Sequence, residues 1–143
     1  MTKQRVLFLC TGNSARSQMA EALLRHLAPE AFDVSSAGTA PKGLHPLAVR
    51  AMAELGIDIA SQRSKSVDEY LSEPFDYVIT LCDDANESCP SFANARDRLH
   101  WGFEDPARAT GDEDQQLGVF RRVRDEIRVA LERFVASDEQ GSE

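Results

Sequence analysis

The first apolar stretch of the chain, Val6-Leu7-Phe8-Leu9, is continuous rather than alternating. That is the pattern of a strand buried on both faces, and it predicts a strand over 5–10. From Ser14 to Leu27 the period changes: Met19, Ala20, Leu23, Leu24 and Leu27 fall at helical spacing, and Pro29 ends the helix. A short strand is expected from Phe32 to Ser36, closed by Ala37-Gly38-Thr39. Pro46 opens a second helix that runs to Gly56 as its cap. A third strand is expected around Ile57 to Ala60. Pro74 precedes the strongest strand pattern, Phe75 to Leu81, and a further short strand is expected at Arg98 to Trp101. The last helix spans Asp112 to Val135, with an acidic first turn and an apolar face of Phe120, Val123, Ile127, Leu131 and Phe134. From Ser137 onward the chain reads as a polar, frayed tail.

Strand and helix patterns in alternation imply an α/β domain, a four-stranded parallel sheet with helices on both faces, over residues 1–136, followed by the 137–143 tail. In such sheets ligands sit at the carboxyl ends of strands beside helix N-termini, so the chemistry is expected just after Cys10 and just after Leu81. The chain has 143 residues, enough for a core without metal or disulfide staples. Its net charge of −8 argues against nucleic-acid binding, which needs a concentrated basic surface. The apolar run after Arg5 is too short for a signal segment or a membrane span, which leads to the expectation of a cytoplasmic protein. Three cysteines without an export signal are read as reactive thiols or metal ligands rather than a disulfide framework. Nothing in the sequence demands more than a monomer.

The chemistry concentrates in Cys10-Thr11-Gly12-Asn13-Ser14-Ala15-Arg16-Ser17, between strand and helix. A cysteine, five residues and an arginine make a loop that can wrap an oxyanion. Its backbone N–H groups from Thr11 to Ala15 would point inward, the helix dipole would add positive potential, and Arg16 would supply a bidentate fork. Gly12 permits a turn that a side chain would obstruct. The same field favours a thiolate at Cys10, to which Ser17 could donate a hydrogen bond. An acidic chain can thus hold a locally positive site. The plainer alternative is a buried strand-end cysteine followed by an incidental arginine. Cys82 lies just past the strongest strand and Cys89 seven residues later, separated by a polar, acidic segment. Cys82 could be a core cysteine. A zinc site with His100 is a further alternative, although the spacing is long for the usual ligand pairs.

Through Cys10 to Ser17 and Ser36-Ala37-Gly38-Thr39, the sequence resembles the low-molecular-weight tyrosine phosphatase fold from about Arg5 to Val135. Within that fold it looks most like the arsenate reductases that work with thioredoxin. The resemblance implies attack of Cys10 on arsenate, then a Cys10–Cys82 disulfide with release of arsenite. Transfer to a Cys82–Cys89 disulfide follows, and thioredoxin reduces it. It also implies that Asp105, in an Asp105-Pro106 pair, protonates the leaving oxygen, with Glu104 as the nearest rival. No cofactor is implied. Several relatives carry another cysteine where this chain has Ala15. Some bind potassium at positions matching Asn13, Glu21 and Ser36, but Lys65 stands where an acidic ligand would be expected, so no specific potassium activation is predicted.

Phosphate monoester hydrolysis is the competing activity, since Cys10, Arg16 and Asp105 suffice for it. Ala107-Arg108 stands in place of the aromatic pair that phosphotyrosine phosphatases of this fold often carry there. A redox-inert oxyanion-binding module is the third reading, and it leaves the thiols unexplained. His26, His45, His100 and Trp101 are read as packing or surface residues. Arg121, Arg122, Arg124 and Arg128 are read as a solvated, salt-bridged helix face.

Overall fold

The computed structural model describes residues 3–82 and 95–141; Cys89 lies outside them. Four parallel strands, β1 (Gln4–Cys10), β2 (Phe32–Gly38), β3 (Phe75–Thr80) and β4 (Ala95–His100), form one sheet in the order β2-β1-β3-β4. Three α-helices, α1 (Arg16–Leu27), α2 (Pro46–Ala53) and α3 (Glu113–Gly141), join 3-10 turns at Val67–Tyr70 and Pro106–Arg108. The α/β class and the four-stranded parallel sheet are as the pattern implied. No helix among the described residues is long and apolar enough to cross a membrane.

The continuous apolar run of β1 follows from its central place, hydrogen-bonded to β2 on one side and β3 on the other. Val6 and Phe8 enter the larger core with Met19 and Leu24 of α1 and Phe120, Val123, Ile127 and Leu131 of α3. Leu7 and Leu9 enter a smaller core with Ala37, Phe75 and Val78, covered by Val67 and Tyr70 of the first 3-10 turn. Both faces are therefore covered, but unequally. Phe134 of α3 closes the larger core against the rings of Phe32, Tyr77 and Trp101, at centroid distances of 5.5, 4.9 and 5.8 Å.

Several boundaries differ from the sequence reading. Ile57 to Ala60 is not a strand. Gly56 takes φ 76° and Ile57 N–H returns to the Met52 carbonyl at 3.1 Å, closing α2 shortly after its last residue, Ala53. Ala60 N–H goes to Asp58 Oδ1 and Gln62 N–H to the Ile59 carbonyl, so the segment's amides are committed to local turns. Ile59 is fully buried as a single plug in the larger core. The fourth strand is instead β4, polar (Ala95-Arg96-Asp97-Arg98-Leu99-His100) and longer than the short strand expected near its end. The last helix passes Val135 and runs to Gly141, so residues 137–141 are helical rather than a frayed tail. Tyr77 Oη ties that extension down by donating to Asp138 Oδ1 at 3.1 Å.

Of the four α3 arginines read as a solvated face, Arg124 departs: it is buried, donating to the Ala51 carbonyl at 2.8 Å and to Glu54 at 2.9 Å. Arg121 grips the same carboxylate from solvent at 2.6 and 2.8 Å. Hydrogen bonds from Arg121 first, and then from Arg124, hold the Glu54 carboxyl down at about 2. This clasp fixes the end of α2 to α3.

Candidate active site

The segment between β1 and α1 is held by what surrounds it. The Thr11 carbonyl accepts from Ala40 N–H, that of Gly12 from Lys42 N–H, and that of Ser14 from His45 N–H, each at 2.9 Å. Gln18 Nε2 reaches the Asn13 carbonyl at 3.0 Å, and Ser64 Oγ the Gly12 carbonyl at 3.2 Å. Across a trans peptide the N–H points opposite to the C=O. Carbonyls turned outward from Thr11 to Ser14 thus turn the N–H groups of Gly12, Asn13, Ser14 and Ala15 inward. Asn13, at φ 45°, makes the tightest bend; asparagine tolerates this left-handed conformation better than most residues. Its N–H donates to Cys10 Sγ at 3.2 Å, and Ser17 Oγ lies 2.8 Å from the same sulfur. Ala15, the N-cap of α1, supplies no side-chain cap, which leaves the first helical N–H groups available to an anion.

Arg16 is 3% exposed. Its Nη1 donates to the carbonyls of Leu81 (3.3 Å) and Phe103 (3.2 Å), and its Nη2 lies 3.8 Å from Asp105 Oδ2. Asp105 in turn caps the turn that follows, accepting from Ala107 N–H at 3.0 Å. A cavity of about 130 Å³ is lined by Cys10, Thr11, Gly12, Ser14, Ala15 and Arg16 together with Asp105, Ala107, Arg108 and Lys42. Glu104 points elsewhere, to Arg122 at 2.8 Å.

Cys82 is buried and is not part of a disulfide. Leu81 N–H bonds the Leu9 carbonyl at 2.8 Å, which places Cys82 next to the strand carrying Cys10. The structure therefore brings Cys10, Arg16 and Asp105 around one cavity, with Ser17 buried behind it against the Cys10 sulfur and Cys82 beside the Cys10 strand. His100 sits on the exposed edge, its Nδ1 2.7 Å from Thr80 Oγ1. His45 caps α2, its Nδ1 accepting from Leu47 N–H at 3.0 Å, so its ring proton is on Nε2. Burial pushes its pKa down, opposed by the Asp105 carboxylate.

Residues 5–141 match the low molecular weight phosphotyrosine protein phosphatase family. The chain belongs to this family. Among its relatives it is 47% identical to an arsenate reductase of Halalkalibacterium halodurans over 134 residues, covering 94% of this chain and 96% of that protein. A solved arsenate reductase in its phosphate-binding state superposes with TM-score 0.80 at 34% identity, covering 94% of this chain and 98% of that one. A thioredoxin-dependent arsenate reductase of Corynebacterium glutamicum matches with TM-score 0.68 at 30% identity, over 94% of this chain and 63% of that one.

Behind the loop between β1 and α1 lies a buried polar cluster only partly visible in the sequence. Asn13 Nδ2 donates to Ser17 Oγ (2.7 Å) and Ser36 Oγ (3.0 Å), and Ser36 Oγ donates to Glu21 Oε1 (2.6 Å). Asn13 Oδ1 accepts from Lys65 N–H at 2.8 Å and from Gln18 Nε2 at 3.1 Å. Lys65 Nζ stands 3.7 Å from Glu21 Oε1 and donates to the Arg63 carbonyl at 2.7 Å. Burial pushes the Lys65 pKa down, and the Glu21 carboxylate opposes it.

The expectation of no specific potassium activation rests on this cluster. Asn13 turns its amide donors toward the serines, its oxygen is taken, and an ammonium already faces Glu21. Turnover at equal ionic strength should be the same in sodium and potassium salts; a severalfold preference for potassium would refute this. Gln18, Lys42 and Arg108 were missed as site residues. Gln18 is fully buried yet lies off the apolar stripe of α1. Lys42 reaches the loop only through a turn distant in sequence.

Proposed function

We propose that this protein reduces arsenate to arsenite, in arsenic detoxification, with thioredoxin as reductant. The observation that carries the reading is the inward-facing loop with Cys10 at its base, Arg16 and Asp105 on its walls, and Cys82 beside it. In this scheme the N–H groups from Thr11 to Ala15 and the Arg16 guanidinium hold the arsenate oxygens. The Cys10 thiolate, supported by Ser17 and the Asn13 N–H, attacks arsenic. A proton from Asp105 lets one oxygen leave as water. Cys82 then attacks the Cys10 sulfur. The S–As bond breaks with its electron pair on arsenic, releasing arsenite, and two thiols have become the Cys10–Cys82 disulfide. Cys89 attacks Cys82, frees Cys10, and leaves a Cys82–Cys89 disulfide for thioredoxin.

NADPH consumption with thioredoxin, thioredoxin reductase and arsenate tests this. Steady turnover is expected for the wild type. Cys89→Ser should release a first equivalent of arsenite and then fall at least tenfold below the wild-type steady rate. Equal steady rates would break the relay. An absence of turnover in both, with p-nitrophenyl phosphate hydrolysed briskly, would make the protein a phosphatase. Slow hydrolysis of phosphate monoesters is proposed as a side activity, since phosphate and arsenate share shape and charge.

A further inference from the structure

The outward-turned carbonyls of the loop are not all held in the same way. Those of Thr11, Gly12 and Ser14 accept from the main-chain amides of Ala40, Lys42 and His45. The Asn13 carbonyl accepts instead from a side chain, Gln18 Nε2, at 3.0 Å. Gln18 stands on the first turn of α1 and is fully buried behind the loop. Its Nε2 also donates to the Arg63 carbonyl at 2.9 Å and to Asn13 Oδ1 at 3.1 Å. Main-chain carbonyls can only accept, so the end of the amide that meets two of them is the nitrogen. The other end, Oε1, accepts from Gln62 Nε2 at 2.7 Å. The far side of this brace is itself anchored, since the Lys65 carbonyl accepts from Gly38 N–H at the end of β2.

Peptide geometry decides what the brace controls. The Asn13 carbonyl and the Ser14 N–H belong to one rigid plane and point in opposite directions. Fixing the carbonyl on Gln18 therefore turns the Ser14 N–H toward the cavity that Ser14 lines. The groups beside the Cys10 sulfur are held by other means. The Asn13 N–H shares its plane with the Gly12 carbonyl, which Lys42 N–H and Ser64 Oγ hold. Ser17 Oγ is met by Asn13 Nδ2, and Lys65 N–H keeps that amide oriented through Oδ1. We infer that Gln18 is a positioning residue: from behind the loop it aims the Ser14 N–H at a bound tetrahedral oxyanion and so sets the affinity of the cavity, leaving the surroundings of the sulfur in place. The inference rests on the reading of this cavity as an oxyanion site. A hydrogen bond to a charged group contributes more than a neutral one, so losing the aim of one donor should weaken binding by about tenfold.

Inorganic phosphate is the probe, added to the reduced protein and followed by calorimetry and by nuclear magnetic resonance of isotopically labelled amides. In the wild type the Gly12, Ser14 and Ala15 amide protons should all shift on binding. Gln18→Met keeps the bulk but has no donor. Its phosphate affinity should fall about tenfold, with the Ser14 shift shrinking while those of Gly12 and Ala15 remain. Gln18→Glu keeps the size and the acceptor for Gln62, but as a carboxylate it sets an oxygen against the two carbonyls, so it should bind at least as weakly. In single-turnover arsenite release, the arsenate concentration giving half-maximal rate should rise by the same factor, while the plateau rate stays within about threefold of wild type. Either variant binding phosphate like the wild type would overturn the brace. So would a plateau lost at unchanged half-saturation, or a wild type whose Ser14 N–H ignores phosphate. That last measurement needs no substitution, so it decides the matter even where neither variant folds. Weakened phosphate binding in both variants, with no arsenite release from the wild type, would uphold the brace and remove the reductase reading.

Discussion

Arg16→Lys should lower the second-order rate of arsenate reduction by about a hundred- to a thousandfold while the protein stays folded. The guanidinium has five donors in a planar fork. Nη1 is engaged by the Leu81 and Phe103 carbonyls and Nη2 lies near Asp105, an arrangement that ties together the ends of two segments beside the cavity that Arg16 lines. A lysine ammonium offers three donors at one point. It can replace the charge, but it cannot meet the two carbonyls, approach the carboxylate and present a fork to the substrate together. The residue is 3% exposed, so carbonyls left without their donor would not be compensated by bulk water. Single-turnover arsenite release, with circular dichroism as a check on folding, measures the effect; a lysine variant within tenfold of wild type would show that charge alone suffices.

Gly38→Ala should remove most oxyanion binding and cost about 1–3 kcal/mol of stability, the usual range for overpacking. A Cβ at Gly38 would lie 2.5 Å from the Thr11 carbonyl oxygen and 2.9 Å from the Asn13 nitrogen, both main-chain atoms of the loop. No rotamer change relieves a clash with backbone. Gly38 cannot easily retreat either, because it ends β2 in register with Cys10 and its N–H holds the Lys65 carbonyl at 2.8 Å. The loop must yield, and with it the Asn13 N–H that faces the Cys10 sulfur. Urea denaturation gives the stability change and phosphate calorimetry the binding loss. An alanine variant with wild-type midpoint and affinity would mean that the loop adapts freely.

Much of this was legible where neighbours in sequence are neighbours in space. The strand-loop-helix from Gln4 to Leu27 is one local unit, so the cysteine, the arginine and their spacing could be read together. Elsewhere the pattern was silent for physical reasons. β4 is a polar edge strand with its outer residues exposed, so apolar periodicity shows little beyond Leu99. Ile57 and Ile59 suggested a strand, yet the turn at Gly56 and the local amide bonds leave Ile59 as an isolated plug. The last turns of α3 carry no apolar stripe and are tied instead by Asp138 to Tyr77. In the site, Gln18, Ser64 and Lys65 matter only because the stretch after α2 returns to the loop, a meeting that neither segment announces.

The clamps on the loop also bear on how such a protein can change over generations. The bonds to the Thr11, Gly12 and Ser14 carbonyls come from the main-chain amides of Ala40, Lys42 and His45. Any residue except proline brings that amide with it. The cradle is therefore insulated from drift at Ala40, Lys42 and His45, whose side chains can be exchanged without rebuilding it. A descendant could trade one anion for another by altering only what those positions project outward.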